Sequence, residues 1–172
     1  IIKMKKTLLL LYVSLCLCAF VAKAQSTYDV FTYTEPKGYK KETQKDFISF
    51  TKTDSKAGIY CIISLYAQTT SSGDIVKDFE EDWANLVVKP FAVKDVPQKA
   101  AGDDLDGWKT YTGAANFEFN GGNSMVILTT AKNKNANVAI IVLTNSKDML
   151  ATDIDPFLSK LKLGKPKALI AK

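Results

Sequence analysis

The chain has 172 residues, 47% of them hydrophobic, and a formal charge of +5 in which every basic residue is lysine and no histidine occurs. Without histidine the common general acid–base, the commonest transition-metal ligand and every Ser-His-Asp or Cys-His arrangement are excluded, and without arginine the planar fork used for bidentate phosphate or carboxylate recognition is missing. Four of the 23 basic residues precede Gln25 and all 18 acidic ones follow it, which leaves 19 against 18, a net of +1, and no electrostatic case for nucleic acid or an anionic membrane.

Met4-Lys5-Lys6, the apolar run Thr7 to Val21 and the small residues of Ala22-Lys23-Ala24 read as a signal peptide over residues 1–24, cleaved before Gln25. The run is short for a spanning helix, and Cys16 and Cys18 each follow a leucine where a lipoprotein signal wants a small residue. Both cysteines leave with the leader, so Cys61 is alone: no internal disulfide and no His–Cys zinc site can form. The expected product is exported to the periplasm, cell envelope or medium, with no membrane attachment after cleavage. Its 148 residues suit one domain, 25–164, followed by a flexible tail, 165–172.

Tyr28 to Tyr33 reads as a first strand, and Glu35-Pro36-Lys37-Gly38-Tyr39 turns the chain. Phe47 to Lys52 is a second strand. Ile59 to Ala67 is a third, with Ile59, Cys61, Ile63 and Leu65 on one face and Tyr60, Ile62 and Tyr66 on the other, so protein covers both. Asp74 to Val87 has helical periodicity: Ile75, Val76, Phe79, Trp83, Leu86 and Val87 share one stripe, with Trp83 as core. Ser71 is placed to cap this helix, Asp74 to sit in its first turn, and Pro90 to limit its extension. Val93 to Asp106 is polar, with Pro97 and Gly102, and reads as mostly loop. A meander follows: Trp108 to Phe119, a hairpin turn at Asn120-Gly121-Gly122-Asn123, Ser124 to Ala131, a turn over Lys132 to Ala136, and the apolar run Val138 to Leu143. A last helix begins between Lys147 and Asp155, an early start implying a kink at Pro156, and turns Ile154, Leu158 and Leu161 inward.

Four local signatures carry a family likeness: Pro36-x-Gly38-Tyr39, Phe79 with Trp83, Asp106-Gly107-Trp108, and Phe157-Leu158-x-x-Leu161-x-Leu163. With the order of elements, they resemble the PsbP-like fold family of small exported bacterial domains. The resemblance implies an α+β fold, an α/β/α sandwich in which a mainly antiparallel sheet carries helices on its faces. It also implies a binding or accessory module, and it supplies no catalytic residues to carry across.

Among candidate sites, Trp108 shares a strand face with Thr110, Thr112, Asn116 and Glu118, while Tyr111, Phe117 and Phe119 take the core face. An aromatic on the more polar face is an anchor for a ligand or protein partner; the competing possibilities are a covering loop or helix, or a bulge at Gly113. Asp103, Asp104 and Asp106 lie in a Gly-rich turn resembling a calcium loop. The EF-hand template nevertheless places Gly102 and Gly113 where acids are required, which leaves a looser site or a solvated turn. Glu80-Glu81-Asp82 reads as a solvated helix face, because adjacent helical positions do not aim two acids into one cleft. No cofactor is implied.

The functional expectation is an exported, non-enzymatic binding or accessory module for a protein partner or a small apolar ligand held between sheet and helix. The alternatives are a secreted hydrolase using carboxylates or a Ser-Lys pair, and an immunity-type protein that binds a secreted toxin. The leader reading makes Gln25 the first residue of the exported chain. N-terminal sequencing of the secreted or periplasmic protein checks it, and any other first residue rejects it.

Overall fold

The apolar run that closes the meander lies at the centre of the sheet. The computed structural model describes residues 25–119 and 121–168. The leader assigned to residues 1–24, Asn120 of the hairpin turn and residues 169–172 of the tail lie outside the described residues.

Two hairpin strands, β1 (Gln25–Tyr28) and β2 (Phe31–Thr34), open the chain. Next come β3 (Lys40–Thr43), β4 (Phe47–Asp54), β5 (Ile59–Tyr66) and the two-residue β6 (Thr69–Thr70). The first helix is α1 (Ile75–Asp82), a π-helical stretch (Trp83–Val88) and a closing turn, α2 (Lys89–Phe91). Then follow β7 (Gln98–Ala101), β8 (Lys109–Phe119), β9 (Gly122–Asn133) and β10 (Ala136–Thr144). The second helix is α3 (Lys147–Met149), a π-helical stretch (Leu150–Ile154) and α4 (Asp155–Leu158), and β11 (Lys162–Leu163) ends the chain.

The fold is α+β. The main sheet runs β3-β4-β5-β10-β9-β8-β7, with β6 on the same side of β10 as β5, and a small sheet runs β1-β2-β11. Every pairing is antiparallel. All nine residues of β10 are buried, because the pleat sends them alternately to two cores. Val138, Ile140 and Val142 join Ile63, Leu65, Phe157 and Trp108 under the second helix and the small sheet. Ala139, Ile141 and Leu143 join Phe79, Trp83 and Val87 under the first helix. The two faces expected of β5 divide in the same way, Cys61 and Ile63 to one core and Tyr60, Ile62 and Tyr66 to the other.

Several local expectations are corrected. Tyr28 to Tyr33 is not one strand: Asp29, at φ +50°, reverses the chain and makes a hairpin of β1 and β2. Val93 to Asp106 is mostly loop as expected, but within it β7 pairs with β8 at the sheet edge. An edge strand exposed at all four residues needs no apolar face, so hydrophobic periodicity could not reveal it. The cap of the first helix is Asp74, whose carboxylate accepts the Val76 and Lys77 N–H groups, while the Ser71 hydroxyl donates to Asp78 instead. The second helix starts at Lys147, and its π-helical stretch lies immediately before Asp155 and Pro156, where the ring has no N–H to give. The tail is tied down as far as Lys167: its N–H and C=O bond the Gln68 side chain, and its ammonium lies 3.1 Å from Asp29.

Gly113 fixes how closely the first helix approaches the sheet. It stands in regular register opposite Leu128, with no bulge, and a Cβ there would run into the tip of the Phe79 ring and meet Pro97 Cβ at 3.3 Å. Phe79 has no room to yield, being buried, stacked on Trp83 and edge-on to Tyr111. Gly113→Ala should therefore destabilise the fold by about 1–3 kcal/mol, outweighing the roughly 0.5 kcal/mol returned by a stiffer unfolded chain. The same substitution in a Phe79→Leu background should cost clearly less, and urea denaturation of the four-member cycle measures the difference.

Candidate functional site

Trp108 does not form a docking surface: it is fully buried, and its indole N–H donates to the Gly164 carbonyl at 2.9 Å. The strand face assigned to it is correct, but the C-terminal segment covers that face. Asp106 reinforces the clasp by accepting the Leu163 N–H at 2.9 Å, and Gly164 N–H donates to Val30 O at 2.7 Å. Asp106-Gly107-Trp108 thus joins the meander to β11 and the small sheet. Thr110 donates to Asp103 O, and Thr112 shares a hydrogen bond with Thr129, so these hydroxyls are occupied inside the fold. Asp103, Asp104 and Asp106 do not assemble a metal site. No group of three acidic, histidine or cysteine side chains among the described residues is placed to hold a metal ion.

The structure opens a cavity elsewhere. The first helix packs over β8 and β9, and beside it, against the ends of β5, β6 and β10, runs a cleft of about 520 Å³. That volume falls in the range of small-molecule sites. Phe47, Tyr66, Leu86 and Ala139 supply apolar wall, with the Phe47 and Tyr66 rings tilted together at 5.1 Å between centroids. Asp46, Asp78, Glu81 and Asp82 supply carboxylates, and Gln68, Asn85 and Asn137 supply amides.

Asp82 is held in this wall by the sheet. Its Oδ2 accepts the Thr130 hydroxyl at 2.8 Å and the Asn137 amide at 3.0 Å. Burial pushes its carboxyl above the ordinary aspartate range, and the neighbouring charges of Asp78 and Glu81 push the same way against those two hydrogen bonds. Asp78 is 4% exposed, and its carboxylate accepts the Ser71 hydroxyl and the Ser72 N–H. Asn137 is also 4% exposed and gives its amide N–H to Asp82, but its Oδ1 has no hydrogen-bond partner.

Reading Glu80-Glu81-Asp82 as a solvated face therefore fails at Asp82. Positions 78, 82 and 86, with 81 and 85, share one side of a helix at four-residue spacing. That side flanks the Phe79–Trp83 stripe, so the spacing held a usable signal. The partners Thr130 and Asn137 held none, because they lie 48 and 55 residues away and reach Asp82 only through the sheet.

No family model matches the chain, and no curated protein matches it in sequence. Among solved structures it is similar to a protein from Bacteroides thetaiotaomicron VPI-5482, with a TM-score of 0.54 and 12% identity over 82% of this chain. This chain spans about half of that protein's length, 48%. LpqN of Mycobacterium tuberculosis, described as involved in cell envelope biogenesis, aligns at a TM-score of 0.47 and 12% identity, over 86% of this chain and 88% of its own. At this identity the likeness to the Bacteroides protein concerns the α+β fold alone. No helix among the described residues is long and apolar enough to cross a membrane.

The raised Asp82 carboxyl has a consequence for stability. The folded chain holds this proton more tightly than the unfolded one. Its contribution to stability is therefore complete below the ordinary aspartate range, about pH 4, and is lost as pH rises through the raised folded value. Asp82→Asn keeps the shape and removes the titration. Urea unfolding at a series of pH values should show the variant gaining on the native protein as pH rises, whereas a pH-independent difference would refute the assignment.

Proposed function

We propose that this chain is an exported binding module of the PsbP-like kind, which holds a small, partly apolar ligand in the cleft beside the first helix and does no chemistry on it. The observation that carries the reading is the cleft itself: about 520 Å³, walled by Phe47, Tyr66 and Leu86 and bordered by a few convergent polar groups. Export rests on the leader read in residues 1–24, and the periplasm or cell envelope is the expected compartment. A protein partner docked on Trp108 loses its support because that side chain is buried. The polar groups suit holding more than turnover, since Asp78 and Asp82 are both engaged by hydroxyl and N–H donors of the fold.

One observation favours a second reading. Asp82 is an acid of raised proton affinity in a cleft with two further carboxylates nearby, which is half of what a carboxylate hydrolase needs. Asp82→Asn separates the two readings. Cleavage of a glycan or peptide that disappears in this variant would establish the hydrolase.

Binding itself is tested with Asn85→Trp, which adds bulk from an exposed helix position into the cleft mouth. Titration of the exported chain with small aromatic and aliphatic compounds should shift amide resonances at Phe47, Tyr66 to Thr70 and Asp78 to Leu86. The tryptophan variant should weaken that binding about tenfold or more. Shifts centred on any other surface would overturn the assignment of the cleft.

A further inference from the structure

The charge of the cleft is one-sided. Asp46, Asp78, Glu81 and Asp82 line it, and among the described residues no lysine does. Of the fourteen acids that do not line it, five, Glu35, Glu42, Asp153, Glu80 and Asp29, pair with a lysine among the described residues. The contrast is sharpest along one helix, where Glu80 is neutralised by Lys99 while Asp78, Glu81 and Asp82 form no ion pair among the described residues. Asn137 adds an independent demand, since its side chain lines the same wall, is 4% exposed, and carries an Oδ1 without a donor. An acceptor left bare in a protein interior is costly, and only an N–H or O–H satisfies it.

From these observations we infer that the ligand of this cleft is an organic cation: a protonated amine carried on an apolar, preferably aromatic, body. The inference rests on the reading of the cleft as a small-ligand site. An ammonium brings up to three donors and a full positive charge, answering Asn137 Oδ1 and the carboxylates of Glu81 and Asp82 together. Its body lies against Leu86 and the tilted Phe47–Tyr66 pair, whose ring faces also attract cations. A metal ion is a poorer match, because the acids are spread along the wall and no three acidic, histidine or cysteine side chains among the described residues group to coordinate one. An anion would meet uncompensated like charge.

The test uses three probes of one shape: phenethylammonium, neutral 2-phenylethanol and anionic 3-phenylpropionate, each titrated into the exported chain up to about 10 mM, a ceiling for weak site binding. Amide shifts locate the site and give the affinity. The expected order is ammonium tightest, by about tenfold over the alcohol, with the carboxylate weakest. Glu81→Gln, at an exposed helix position, and Asp82→Asn should each erase much of the ammonium preference and leave alcohol binding nearly unchanged. Glu118→Gln, outside the cleft, should alter neither. Equal affinity for ammonium and alcohol in the cleft, or a preference for the carboxylate, overturns the cation inference and leaves the binding reading standing. Shifts centred outside the cleft, or no shift from any probe, overturn both.

Discussion

Strand β10 is buried at all nine of its positions, and its central residues are apolar on both sides of the pleat. Such a strand is stable only when protein covers both faces of the sheet around it, at roughly 25 cal/mol per Å² of apolar surface removed from water. Antiparallel neighbours β5 and β9 satisfy its backbone. The first helix covers one face, and the second helix with the β1-β2-β11 sheet covers the other. The layered architecture follows from that single strand, and the remaining elements are arranged by what each cover requires.

The two covers are built differently. On the second-helix side, aromatic packing is supplemented by polar clasps between distant segments. Trp108 holds Gly164, Asp106 holds Leu163, and Asp153 accepts both the Lys52 ammonium at 2.7 Å and the Tyr39 hydroxyl at 3.1 Å. The Lys52 partner keeps the Asp153 carboxyl below its usual range. These clasps are the structural role of Tyr39 and of the Asp106-Gly107-Trp108 turn. On the first-helix side the cover is narrower. Gly113 lets Phe79 settle tightly onto β8, and the π-helical stretch, closed by the Lys89 N–H on the Ala84 carbonyl, carries Asn85 and Leu86 along the cleft wall. The space left beside the helix becomes the cleft.

Within that cleft, stability and the proposed recognition pull in opposite directions. Asp82 is removed from water near two other acids and supported by only two neutral donors, so its charge costs the fold stability at neutral pH. A cationic guest would relieve both the repulsion and the bare Asn137 acceptor. Groups that cost the fold stability would then serve to select the proposed guest, which is how a site can be preorganised by the fold around it.

How much was legible in the chain depends on the range of the interaction. The apolar run of β10, the two-faced β5 and the Phe79–Trp83 stripe could be read directly, because periods of 2 and 3.6 are local properties. The missing histidine excluded whole chemistries by count alone. By themselves, then, these residues determined the α+β class, the antiparallel meander and the Phe79–Trp83–Val87 stripe of the first helix, although Val76, expected in that stripe, is exposed. The burial of Trp108, the pairing of the bare edge strand β7 and the union of Asp82 with Thr130 and Asn137 were decided only in the tertiary structure. Each depends on segments brought together from distant positions, and the sequence records no local trace of which distant backbone will arrive to cover an aromatic or desolvate a carboxylate.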